Sequence, residues 1–203
     1  MNNELYQLCL SLKIGDGCYV SQSSTTKNFH MSTRSINKDY LDYKRNIFTK
    51  NDILTKDIVC TSGYKKGSII YGFSTRVEPI ISVVGNMSKI EILDSLDILG
   101  LILYYLDDGS LHKNKHFMHL YCNSFNSLEV EKLIEILYNF FPQKRCPVRY
   151  DKKKDGRVFP YIYIPVCVAK EFSKLVYDFL VRNNINSLLY KTISPSQTIE
   201  NIG

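Results

Sequence analysis

Two short stretches place an aspartate directly before a glycine at the end of an apolar run: "LKIGDGCYV" (12–20), with Asp16-Gly17, and "LYYLDDGSLHK" (103–113), with Asp108-Gly109. The residues upstream, 4–15 and 95–109, have the dense apolar pattern of buried helices. Gly17 and Gly109 fit the glycine that commonly closes a helix in left-handed conformation. An aspartate at that end opposes the partial negative charge of the helix C-terminus, at a cost of about 0.3–1 kcal/mol. A divalent cation would offset it. Mg²⁺ prefers oxygen ligands and takes one or two carboxylates, filling its shell with water and phosphate oxygens. Two such helices side by side would bring their carboxylates to shared ions, the arrangement of metal-assisted phosphodiester cleavage. Two ordinary helix ends remain an equally simple account of the spacing. A third pair, Asp155-Gly156, lies between strand-like runs, where a hairpin turn explains it.

Other groupings carry less chemistry. His112, His116 and His119 lack a cysteine pair and a ligand spacing that would hold zinc. No Gly-x-x-x-x-Gly-Lys phosphate loop and no Gly-x-Ser-x-Gly elbow occurs. The six cysteines are scattered without a Cys-x-x-Cys pair, which predicts reduced, buried thiols. Most of the tyrosines and phenylalanines belong to the core, although Tyr161 and Tyr163 alternate in a way that leaves either face open to them.

The elements that must carry the aspartates recur in order. After the first apolar helix, "CYVSQSS" and "NFHMSTR" read as strands and 35–51 as a helix capped by Ser35 or Asn37. "DIVCTSGY" and "GSIIYGFSTRV" follow as strands joined by "KKG", then the short apolar segment "EPIISVVGNM". After the second apolar helix come the strand "HFMHLYC" and an amphipathic helix over 126–141 signalled by Asn126 or Ser127. "CPVRYDKK" and "RVFPYIYIP" form a hairpin, and "CVAKEFSKLVYDFLVRNN" a last helix. Each half runs helix, two strands, helix, two strands, helix, which predicts a duplicated unit with its division near residue 90 (1–90 and 91–203).

With 203 residues, 44% hydrophobic and 23% charged, the chain has enough apolar material for a sizeable core. No apolar stretch approaches the roughly 20 residues of a membrane span, and the N-terminus lacks the marks of a signal peptide, so a soluble intracellular protein without membrane partners is expected. The net charge of +6 is locally concentrated: "KRCPVRYDKKKDGR" (144–157) holds seven basic and two acidic residues. Such an excess suits a phosphate backbone, although a solvated hairpin tip is the simpler reading of this segment by itself.

"CLSLKIGDG" (9–17) and "LILYYLDDG" (101–109) resemble the two motif copies of LAGLIDADG homing endonucleases, and "LYYLDDGS" the second-motif form of intron-encoded, single-chain members. "LYCNSFNSLEVEKLIEIL" resembles the strand and helix after the second motif, and "LLYKTIS" (188–194) the C-terminal segment of the same subgroup. The resemblance implies an α+β fold of duplicated αββαββα units with pseudo-two-fold symmetry and an antiparallel, DNA-binding saddle. It implies a monomeric, metal-dependent endonuclease cutting double-stranded DNA at a long asymmetric site, with Mg²⁺ as cofactor and Mn²⁺ as a substitute. Asp16 and Asp108 match the metal-binding catalytic carboxylates, while Asp107, one position out of register, is a supporting or surface acid. Lys191 matches a basic residue near the active site, with Lys89 the nearest first-half counterpart by position.

The motifs also depart from the family pattern: Leu10 and Ile102 replace a usual alanine, Ser11 and Leu103 a usual glycine, and Lys13 and Tyr104 stand where small or aliphatic residues are usual. Expected DNA contacts are Gln22, Ser24, His30, Ser32 and Arg34 in the first half and Arg149, Lys152, Lys153, Lys154, Arg157 and Tyr161 in the second, arginine being suited to guanine and glutamine to adenine. The same scaffold could instead serve as a maturase binding intron RNA, or as a DNA binder that does not cleave.

Overall fold

The structure, a computed structural model, describes residues 2–23, 25, 27–60 and 70–193. The "KKG" connection and Ser24 lie outside the described residues. The chain packs into two units, Met1–Tyr104 with Asn183–Ser187, and Tyr105–Arg182 with Leu188–Gly203.

The first unit opens with α1 (Asn3–Ile14), whose Asn2 side chain accepts the Glu4 N–H. Leu5, Leu8, Cys9, Leu10, Leu12 and Ile14 are all buried, so the helix is enclosed on several faces, as its nearly all-apolar sequence requires. Strands β1 (Gly17–Ser21), β2 (Phe29–Ser35), β3 (Thr55–Cys60) and β4 (Ile70–Thr75) form an antiparallel sheet of order β1-β2-β4-β3. Met31, Thr33, Phe73 and Thr75 are its buried face, and Phe48 of α2 (Lys38–Lys50) meets Phe73 edge-on at 5.7 Å. Asn37 takes the N-cap position of α2, but its side chain makes no capping bond; the Ser35 hydroxyl accepts the Asn37 N–H and Asp39 accepts that of Tyr40. The segment "EPIISVVGNM" becomes α3 (Pro79–Asn86), followed by α4 (Lys89–Asp94), which restarts at a Ser88/Glu91 capping box.

Helix α5 (Ile98–Asp108) carries the chain from the first unit into the second. Its start is tied to α1 within the first unit: Gln7 donates to Ser95 O (2.9 Å) and accepts the Asp97 N–H (3.0 Å). In the second unit β5 (Gly109–His112), β6 (Phe117–Tyr121), β7 (Val148–Lys152) and β8 (Val158–Ile164) form an antiparallel sheet of order β5-β6-β8-β7, the same connectivity as in the first. Met118, Leu120, Ile162 and Ile164 are buried, α7 (Val166–Arg182) packs on β6, and Phe172 holds Tyr105 edge-on at 5.2 Å. Helix α6 (Ser127–Phe140) begins with a reciprocal Asn126/Glu129 cap, Asn126 being one of the two residues that the sequence offers. The fold is α+β. No helix among the described residues is long and apolar enough to cross a membrane.

The expected left-handed glycines at the helix ends are a correction. Among the described glycines only Gly156, in the β7–β8 hairpin, has positive φ (+84°). Gly17 and Gly109 instead open strands, and what requires them is space: a Cβ on Gly17 would lie 2.8 Å from the Leu12 carbonyl carbon, and one on Gly109 would overlap the Tyr105 ring and carbonyl. Helix α1 ends at Ile14, with Gly15 as its cap, so Asp16 lies two residues beyond the helix while Asp108 is the last residue of α5. The dipole argument therefore applies fully to Asp108 and weakly to Asp16, because the helix field fades beyond its terminal turn.

Candidate active site and nucleic-acid interface

Around Asp108 the chain supplies a cation of its own. The 3-10 turn Leu189–Lys191 packs against β5 and α7 and brings the Lys191 ammonium, only 8% exposed, to the C-terminal carbonyls of α5. Its Nζ donates to Leu106 O at 2.7 Å and reaches Asp107 O at 3.5 Å. The Lys191 carbonyl accepts the Tyr105 hydroxyl at 2.8 Å, and two residues later the Ile193 N–H donates to Ser173 Oγ at 2.6 Å. A charge-assisted hydrogen bond at a helix C-terminus stabilises twice, through the bond itself and through the dipole. Asp107 and Asp108 are both half-buried.

In the first unit Asp16 is exposed in the turn between α1 and β1. Three residues earlier Lys13 donates to Gly85 O (3.1 Å), near the end of α3, and its ammonium stands 5.0 Å from the Tyr19 ring and 5.6 Å from that of Phe29. Burial holds the Lys13 amine below its ordinary pKa; the Cys18 thiol pulls the other way and the Lys89 charge adds to the lowering. Lys89, the residue chosen by position, is the first residue of α4 and so shares a cationic neighbourhood with Lys13. In sequence Lys13 stands out only as a departure from the motif, three residues before Asp16.

Most of the expected base readers on the strands share the outer face of their sheet, but Lys152, two pairs along from Tyr150 and opposite Val158, alternates onto the face of Val148 and buried Ile162. His30, Ser32 and Arg34 alternate with buried Met31 and Thr33, so they share the outer face of the first sheet. Ser32 pairs with Cys18 and Ser74, and Arg34 faces Gly72, where a Cβ would approach the Arg34 Cγ to 2.9 Å. Gln22 is exposed just past β1. On the second sheet the outer face is a row of rings: His112, Phe117, His119, Tyr161 and Tyr163, with neighbouring centroids 4.4–5.1 Å apart for the closest pairs. Arg149 lies over Tyr163 at 3.8 Å. Burial, then the charges of His112 and Arg149, lower the His119 pKa against the opposing pull of Asp151. The ring row thus answers the open question about Tyr161 and Tyr163: both face outward, opposite buried Ile162 and Ile164.

At the β7–β8 hairpin much of the basic excess is spent internally. Lys153 pairs with Asp151 (2.5 Å) and Arg157 with Asp155 (2.7 Å), whereas Arg149, Lys152 and Lys154 have no ion pair among the described residues. His116, at φ 53°, sits in the β5–β6 turn. Among the described residues no group of three or more His, Cys, Asp and Glu side chains is arranged to hold a metal ion. Cys9, Cys122 and Cys146 are buried thiols outside any disulfide, as expected, whereas Cys18 and Cys167 are exposed thiols.

Two units of identical strand order, each entered through an apolar helix leading to an aspartate and each turning a polar or aromatic sheet face outward, define a duplicated α+β protein. The sequence profile of the LAGLIDADG DNA endonuclease family matches residues 12–172, and the chain belongs to that family. Its fold is that of the homing endonuclease I-WcaI bound to its DNA recognition sequence (TM-score 0.71, 20% identity, 95% of this chain and 87% of that one). It is also similar to I-DmoI in complex with DNA and Ca (0.56, 11%, 86% and 89%) and to the N-terminal LAGLIDADG domain of DUF199/WhiA (0.51, 11%, 98% and 87%). No curated protein matches significantly.

Proposed function

We propose that the protein is a site-specific endonuclease that hydrolyses both strands of a long asymmetric DNA target with divalent metal, acting as a monomer whose halves, 1–90 and 91–203, supply one acid each. The observation that carries this reading is an aspartate at the end of both motif copies in a member of a DNA endonuclease family, Asp16 and Asp108. The donor chemistry fits a hard cation. With no three-ligand cage among the described residues, each acid would offer carboxylate oxygen to an ion that keeps most of its shell as water and phosphate oxygen, which is how Mg²⁺ binds. Solved structures of I-DmoI hold its DNA with Ca or with Mn, which supports a divalent ion here. When bound, the metal would supply Lewis-acid activation of water and charge stabilisation at the leaving oxygen. Lys191 would act beside Asp108 by stabilising the transition state or orienting a water, and Lys89 or its neighbour Lys13 would be its counterpart beside Asp16.

DNA would lie against the outer sheet faces, with Gln22, Ser24, His30, Ser32 and Arg34 contacting one half-site. Arg149, Lys152, Lys153, Lys154, Arg157 and Tyr161 would contact the other, Arg149 being held flat by Tyr163 for a guanine edge. Selection of cut sites from a randomised duplex library with Mg²⁺ tests the reading. One asymmetric consensus with both strands cut is expected; binding without any cutting would assign the protein to the DNA binders, and tight binding of intron RNA with no cutting to the maturases. Sedimentation of the complex should give one chain per duplex.

A further inference from the structure

Tyr105 stands in the middle of the apolar run "LILYYL", where an aliphatic residue would bury as well and leave no hydroxyl to satisfy. It is fully buried, and a buried phenol without a partner costs roughly 1–3 kcal/mol. Its hydroxyl donates to the main-chain carbonyl of Lys191 at 2.8 Å. The ring is fixed twice, edge-on to Phe172 at 5.2 Å and over the position a Cβ of Gly109 would fill. On the far side of Lys191, Ser173 Oγ accepts the Ile193 N–H at 2.6 Å. Between these two attachments the Lys191 ammonium reaches the carbonyl of Leu106 at 2.7 Å and that of Asp107 at 3.5 Å. Burial raises the Tyr105 pKa, and the Tyr190 phenol raises it further, so Tyr105 remains a donor at any working pH.

We propose that Tyr105 is a positioning residue: its hydroxyl sets the backbone of the 3-10 turn so that the Lys191 ammonium is held at the C-terminal end of α5, beside Asp108. The inference rests on the reading of Lys191 as the charge-stabilising group of the second half. Tyr105 itself touches no substrate, and Ser173 serves the same end from α7.

The test uses Tyr105→Phe, which keeps the ring and removes only the donor, and Ser173→Ala, which removes the second attachment, in the full chain. Reactivity of Lys191 toward an amine-acylating reagent is read by mass spectrometry, and cleavage kinetics and DNA binding in Ca²⁺ are measured beside it. Lys191 is expected to be protected in the unmodified protein and several-fold more reactive in both variants. The same variants should lose about fivefold in kcat, the rate equivalent of one net hydrogen bond, at unchanged KM and unchanged DNA affinity. Unchanged Lys191 reactivity in both variants overturns the proposal, as does full kcat in either variant where Lys191→Met is inactive. If Lys191→Met cleaves normally, the catalytic reading of Lys191 fails, while the acylation result still decides whether Tyr105 positions it.

Discussion

Replacing Lys191 by Met asks how much the ammonium at the end of α5 contributes to stability, independently of any activity. The side chain is 8% exposed and its Nζ lies 2.7 Å from Leu106 O. Hydrogen bonds involving a charged group contribute about 1.5–3 kcal/mol. A cation at a helix C-terminus adds about 0.3–1 kcal/mol, and the cost of burying the ammonium takes back part of the total. Methionine keeps most of the buried stem, so the loss should be electrostatic and about 1.5–3 kcal/mol. For a chain of this size about 2–4 °C of melting temperature accompanies each kcal/mol, giving a drop of roughly 3–12 °C. Thermal unfolding followed by circular dichroism at low ionic strength measures it. Asp108→Asn adds a sharper comparison: it should change the unmodified protein little, because Lys191 already offsets the charge at the helix end, and should recover stability in the Lys191→Met background. A Lys191→Met protein that melts at or above the unmodified one, or an Asp108→Asn effect equal in both backgrounds, would refute the reasoning.

Gly109→Ala should cost about 1–3 kcal/mol, because the new methyl meets the Tyr105 ring and carbonyl, and Gly17→Ala should cost a similar amount against the Leu12 backbone; urea midpoints equal to those of the unmodified protein would contradict the packing. Neutralising Lys152, Lys153 and Lys154 together should flatten the dependence of log K on log salt by about 0.9 for each phosphate that is no longer neutralised, with Lys153 contributing least because Asp151 already holds it. An unchanged slope would leave the hairpin to solvent. The His119 imidazole titrates below its ordinary value in the folded protein, so below about pH 6.5 the unfolded chain binds that proton more readily and stability falls as the pH drops. His119→Phe should therefore reduce the loss of melting temperature between pH 7.5 and pH 5, and an identical loss in both proteins would remove His119 from the account.

How far the chain could be read without coordinates depended on how local each signal was. The helix start at Asn126 or Ser127, the Asp155-Gly156 hairpin and the strand in "HFMHLYC" are set within a few residues, and the structure bears them out. Helix α4 was also signalled locally, by Ser88 and Glu91, yet its six residues are too few for apolar periodicity to register. The glycines after the aspartates failed for a different reason: a left-handed cap and a steric gap look alike in sequence, and only the Leu12 and Tyr105 atoms near the missing Cβ tell them apart. Lys191 lies more than 80 residues from the helix end it caps, so its position was legible through family resemblance and not through spacing. Charge counting over the basic run cannot see that Lys153 and Arg157 each pair with a neighbouring aspartate.

The two-acid account of cleavage is tested most directly by assaying Asp16→Asn and Asp108→Asn on a selected target with Mg²⁺, beside DNA binding in Ca²⁺. Each substitution keeps the side-chain volume and removes the carboxylate charge. Loss of cleavage in both variants, with DNA affinity retained and Asp107→Asn only mildly affected, is the predicted result; full cleavage by either Asp16→Asn or Asp108→Asn would contradict it.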